Sequence, residues 1–160
     1  MHSIVSKFYL CALVLFSLLS CKKDPNKKTS NNSFYIKAKL NNQEIRYTID
    51  ANGRIENKQM SGSAFFDASS NFPSFSFDIE ANAPIQPGIY KESTIVLIFR
   101  YSLSATKTFH SQMGNENDFE ITIIEITSTS VKGTFSGTIR NASNINEVFT
   151  VENGEFSLKR

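Results

Sequence analysis

Residues able to do acid–base or nucleophilic work are few. His110 sits in "TFHSQ" with Ser111 beside it and acids elsewhere, so a Ser-His-acid arrangement is formally available. The Gly-x-Ser-x-Gly turn that would present a nucleophilic serine is absent, and a surface histidine in a loop is the simpler reading. "GNENDFE" gathers Asn115, Glu116, Asn117, Asp118 and Glu120, which are oxygen ligands of the kind calcium takes. They lack the spacing and terminal Glu of a calcium loop, so a solvated loop is expected. Glu125 lies between Ile124 and Ile126 in a strand pattern and would be a general-acid candidate only if buried. Ring platforms for a sugar or a protein ligand could come from Tyr35, Phe65, Phe72 and Tyr101. Against that, Trp is absent, and Phe in alternating patterns is usually core. The residues assign no catalytic group, metal or cofactor, and the chain is expected to be non-enzymatic.

Cys21 is the most telling reactive side chain. Lys7 precedes the apolar run "FYLCALVLFSLL", followed by Ser20, Cys21 and the pair Lys22-Lys23. A positive start, a short apolar stretch and a small residue at its end are the marks of an export signal. The run is short of the roughly 20 apolar residues that a spanning helix needs. "LLSC" (Leu18 to Cys21) resembles the lipobox of bacterial lipoproteins. That resemblance implies lipid transfer to the Cys21 sulfur and cleavage between Ser20 and Cys21. Loss of residues 1–20 would also remove His2 and Cys11, leaving His110 as the one histidine and Cys21 as the one thiol. A His/Cys zinc site and a disulfide are thereby excluded.

"KKDPNKKTSNNS", residues 22–33, has no apolar side chain and should be a solvated tether. As a random coil of that length it spans about 20 Å. The first 33 residues hold five of the 17 basic side chains and one of the 15 acids, so the remainder carries a net charge of −2. Such a surface is not that of a nucleic-acid binder. The expected partners are a membrane, through the lipid anchor, and an unknown protein or glycan. The location implied is the cell envelope, lipid-anchored to the outer membrane, on its periplasmic or its surface-exposed leaflet.

Residues 34–160 must hold whatever site exists, and their texture is β. Twelve of the 14 Phe lie there, mostly alternating with polar residues. "FYIKAKL" sets Phe34, Ile36, Ala38 and Leu40 on one face, Asn41-Asn42 suits a tight hairpin, and "EIRYTID" returns with Ile45, Tyr47 and Ile49. Asn52-Gly53 marks a further turn. "QMSGSAFFDA" offers Met60, Gly62, Ala64 and Phe66 inward, and "SFSFDIEA" offers Phe75, Phe77 and Ile79. The prolines of "NAPIQPGIY" exclude a central strand. Ile95 to Phe99 is a continuous apolar run, expected to be covered on both faces. "ATKTFHSQMGNEND" is expected to be a long loop. "FEITIIEITS" turns Phe119, Ile121 and Ile123 to one side, and "VKGTFSGTIRN" alternates Val131, Gly133, Phe135, Gly137 and Ile139. Glycines there permit a neighbouring strand or ring to approach closely. Asn153-Gly154 is either a hairpin turn or a bulge in one long strand. The sum is an all-β antiparallel sandwich of about eight strands, with a small barrel as the alternative. Three regions follow: signal 1–20, tether 21–33 and β domain 34–160.

The opening "FYIKAKLNNQEIRYT" and the closing "VKGTFSGTIRN…FTVENGEFSLKR" resemble a family of small Bacteroidetes-type lipoproteins of unknown function. In that family a lipobox and polar tether precede an opening hairpin, and a "GTFS" strand and a terminal G-x-F strand close the domain. The resemblance implies an anchored β domain and brings no catalytic residue with it.

Overall fold

The computed structural model describes residues 34–114 and 116–160; Ser20 and Cys21 lie outside the described residues. Eleven strands account for the fold: β1 (Tyr35–Leu40), β2 (Gln43–Tyr47), β3 (Ile49–Glu56), β4 (Gln59–Asp67), β5 (Ser70–Glu80), β6 (Gly88–Lys91), β7 (Val96–Ser104), β8 (Lys107–His110), β9 (Glu120–Ile126), β10 (Ser130–Asn141) and β11 (Asn144–Lys159). One 3-10 turn, Ser111–Met113, lies between β8 and β9, and no α-helix occurs among the described residues. The domain is all-β, with more strands than the eight expected.

Local chemistry explains several boundaries. Asn41 and Asn42 take φ values of 48° and 69°, the paired left-handed geometry of a two-residue hairpin. The Asn41 side chain then accepts the Thr150 amide at 2.9 Å, tying the hairpin tip to β11. Asn52-Gly53, expected to turn, instead lies within β3 just after a ladder shift at Asp50, with φ 46°, and the turn falls at Asn57, with φ 51°. Asn153 takes φ 50°, and β11 continues through it as a single strand, so Asn153-Gly154 is a bulge. The ladder skips there: Phe135 pairs with Gly154 while Gly137 pairs with Val151. That shift returns Phe156 and Leu158 to the buried face.

Three further expectations are corrected. Ile95 to Phe99 is not covered on both faces: Leu97 and Phe99 are fully buried while Val96 is 51% exposed. Val at position 96 satisfies β propensity without being core, which is why the run looked continuous. The expected loop from Ala105 to Asp118 contains β8, whose Phe109 is fully buried. Phe66, expected inward, is 65% exposed, because the ladder shifts between Phe65 and Asp67 at the strand end.

The sheet is mixed. Its order is β2-β1-β11-β3-β4-β5-β7-β8-β10-β9-β6, and β11 also pairs with β10. From β3 the ladders therefore run through β4, β5, β7, β8 and β10 to β11 and back to β3. Two seams in this circuit are thin. β10 meets β8 at Arg140 and Asn141, and β11 meets β3 at the single parallel pair Lys159 and Asn52. The remaining pairs are antiparallel.

Aromatic rings fill the centre. Phe99 stacks on Phe119 with centroids 4.7 Å apart and meets Phe135 at the same distance. Phe75 joins them at 5.6 Å, and Phe77 packs on Phe156 at 5.1 Å. Such offset and tilted contacts add to the burial of the rings themselves. Gly133 makes room for this: a Cβ on it would stand 2.4 Å from the Phe156 ring.

Candidate functional site

With the centre filled, the surface is hollowed over β3, β4, β5 and β7, and also over β9, β10 and β11, where Glu120, Thr122, Thr134 and Ser136 line a depression of about 360 Å³. Cross-strand register sets the outward side chains in rows. One row is Glu56, Gln59, Glu80 and Val96; the next is Arg54, Ser61, Asp78 and Ile98; a third is Asn52, Ser63, Ser76 and Arg100. Small serines in the middle of longer neighbours make a shallow trough. Two depressions occupy it, of about 420 Å³ and about 280 Å³, sharing Arg54, Ser61 and Asp78. A third, of about 580 Å³, adjoins at Glu80 and Val96 and reaches the β6–β7 turn.

Charges in the trough are mostly paired. Arg54 Nε donates to Glu56 at 2.9 Å, and Arg100 pairs with Asp78 across β5 and β7. Glu80 and Val96 supply an open carboxylate and an exposed apolar patch at one end. The mixture of hydroxyls, amides, paired charges and one apolar wall suits a polar ligand laid across the strands. It has no arrangement of nucleophile and base.

Beyond the trough the third row continues through Arg100, His110 and Arg140. His110 is half-buried in a strand, not in a loop as expected. Loss of solvent, and then the Arg100 guanidinium, hold its imidazole below the usual range. Arg140 pairs with Glu116, whose carboxylate contact raises the guanidinium's affinity for its proton.

Asp118 accepts the Thr138 amide at 3.2 Å and its hydroxyl at 2.8 Å. Thus two acids of "GNENDFE" serve structural bonds. Among the described residues no three His, Cys, Asp or Glu side chains converge to hold a metal. Glu125 is exposed and pairs with Lys132 at 2.7 Å.

The four proposed ring-platform residues are scattered. Tyr35 is half-buried on β1; the Arg46 guanidinium lies 3.7 Å over its ring, and its hydroxyl reaches Glu155 at 3.3 Å. Phe65 on β4 and Phe72 on β5 are half-buried near the β4–β5 turn. Tyr101 is 5% exposed and belongs to the core, packed on Phe75 at 5.1 Å. Its position on the inward side of β7 follows from the alternation of Leu97, Phe99 and Tyr101. It contributes to the environment of buried Tyr47, whose hydroxyl is pushed up by burial and secondarily by Tyr101.

Sequence reasoning missed Glu92. It follows β6 in the polar string "YKEST", which reads as a solvated turn, yet it is buried. Its Oε1 accepts the Ser111 hydroxyl at 3.1 Å. Burial raises its carboxyl above the usual range, and Asp118 adds to this; Ser111 and the Phe119 backbone pull the other way. Only the fold reveals it, because no periodicity places a turn residue inside.

The chain matches no protein-family model, no curated protein and no solved structure.

Proposed function

We propose that the chain is a membrane-anchored envelope lipoprotein whose β domain binds a partner and performs no chemistry. The observation that carries this reading is "LLSC" at the end of a short apolar run, followed by twelve residues with nothing to bury. Several acyl chains on Cys21, at about 0.8 kcal/mol per buried methylene, anchor stably where one chain would not. The eleven strands are read as a flattened, sandwich-like barrel: β2-β1-β11-β10-β9-β6 forms one layer and β3-β4-β5-β7-β8 the other. The thin seams at Arg140–Asn141 and Lys159–Asn52 join the layers. Membrane fractionation tests the anchor. Wild type stays with the envelope, while residues 30–160 exported behind a signal that carries no Cys move to the soluble fraction; wild type recovered in the soluble fraction overturns the reading.

A second reading, favoured by the trough over β3, β4, β5 and β7, is a glycan- or protein-binding accessory module of an uptake system. Its hydroxyls, amides and carboxylates offer donors and acceptors of the kind polar ligands need. A glycan array probed with the domain from residue 30 onward tests the glycan form. Binding lost on Ser61→Trp, which fills the trough, supports it; a blank array removes it.

A further inference from the structure

Glu92 is 8% exposed, and its Oε2 has no hydrogen-bond partner among the described residues. The other carboxyl oxygen begins a relay: Ser111 Oγ donates to Glu92 Oε1 at 3.1 Å and accepts the Phe99 amide, also at 3.1 Å. The Glu92 amide donates to the Phe119 carbonyl at 3.0 Å. One turn residue thus fastens β6, β7, the 3-10 turn and the approach to β9. A buried carboxylate with a bare oxygen is costly, whereas a neutral carboxyl is far less so.

We propose that Glu92 is a proton-held latch: neutral, its carboxyl stays buried beside Ser111 and keeps the β6–β7 turn packed; ionised, the cost of a carboxylate out of water exceeds what the Ser111 hydroxyl returns, and the turn is released and edge strand β6 loosened. The surrounding charges favour the neutral form. From the segment before β9, Asp118 faces it with a like charge. On its own side Lys91 is engaged with Glu120 at 3.1 Å and does not serve as its counter-ion. From β8, His110 is held toward its neutral state, and Arg140 of β10 is paired with Glu116. Lys58 and Glu80 lie on the far wall of the depression beside the turn and oppose one another in sign. The direction follows from linkage. A carboxyl raised in the folded state contributes stability that is complete below its unfolded value, near 4.5, and is lost as pH rises through its folded value. Among the described residues strand β6 pairs only with β9, so release at Glu92 frees one end of a four-residue edge strand. The latch operates whatever the domain binds.

Hydrogen exchange on the full chain in non-ionic detergent, corrected for intrinsic rates, reads the latch directly. In wild type the amides of Gly88 to Glu92 lose protection between pH 4 and pH 8, about tenfold for each unit by which the carboxyl is displaced. Glu92→Gln, which mimics the neutral form, shows no such loss and melts higher than wild type at pH 8 but not at pH 4. Ser111→Ala steepens the wild-type loss and has no pH-dependent effect in the Glu92→Gln background. Equal pH dependence in wild type and Glu92→Gln overturns the proposal, as does loss of protection on lowering the pH.

Discussion

Replacing Gly133 by alanine places a methyl carbon 2.2 Å from the Thr122 carbonyl oxygen and 2.4 Å from the Phe156 ring. Carbon–oxygen contacts in sheets settle near 3.3 Å, so β9 must withdraw by about 1 Å. Its bonds to β10 at Gly133 and Thr134 then exceed the roughly 3.2 Å limit of a sound N–H···O bond. Overpacking of this kind costs about 1–3 kcal/mol. Each weakened backbone bond adds about 1 kcal/mol. Reduced freedom of the unfolded chain returns only about 0.4–1 kcal/mol. The expected net loss is about 3 kcal/mol, which at a urea slope of about 2 kcal/mol/M lowers the midpoint by about 1.5 M. Lys132→Ala, one residue away, removes only an exposed pair with Glu125 and should move the midpoint by less than about 0.4 M. Urea unfolding followed by far-UV circular dichroism separates the two. A Gly133→Ala midpoint within about 0.3 M of wild type, at unchanged slope, would refute the close approach of β9, β10 and the Phe156 ring.

Phe99→Ala empties the centre of the Phe75, Phe119 and Phe135 cluster and should cost about 3–5 kcal/mol by chemical denaturation. Asn153→Val forces a β-branched residue into the left-handed region at the β11 bulge and should cost about 1–2 kcal/mol in the same assay. His110 is held below its ordinary value, so its contribution to stability is present above about pH 6.5 and declines as pH falls through the folded value. In Arg100→Ala an NMR titration of His110 should move upward, though not fully, because burial remains the larger cause. The Asp67 carboxyl is held low by the Ser69 amide and hydroxyl, so Asp67→Asn should lose its stability difference from wild type only as pH falls below about 3.8.

Strict alternation was legible wherever one side of a strand is wet. The inward residues of β1, β5, β9 and β10 stand where the period of two puts them. The pattern failed where a side chain answers to something other than alternation. Asn52-Gly53 carries a turn signature, yet Gly53 is small because a Cβ there would press on Val131 and Leu158 at 3.0–3.1 Å. Phe109 and its strand were hidden in polar neighbours, since four residues on a sheet seam hold too little alternation to stand out. Two of the three added strands, β6 and β8, are four residues each, and the third arises because the expected return strand "EIRYTID" parts at Thr48 into β2 and β3. At the candidate site, Tyr101 was misplaced because a ring's sequence neighbours do not reveal which face of an apolar run is wet. Serines 61, 63 and 76 gave no signal at all. Their trough exists only through cross-strand register, and Glu92 is buried only because β7, β9 and the 3-10 turn meet over it.

The proposed lipid on Cys21 is what would hold the β domain at a membrane. Growing cells with a clickable fatty acid and immunoprecipitating the protein tests it most directly. Label is expected on the wild-type chain and none on Cys21→Ala, with both proteins present in comparable amounts. Equal labelling of the two would contradict it.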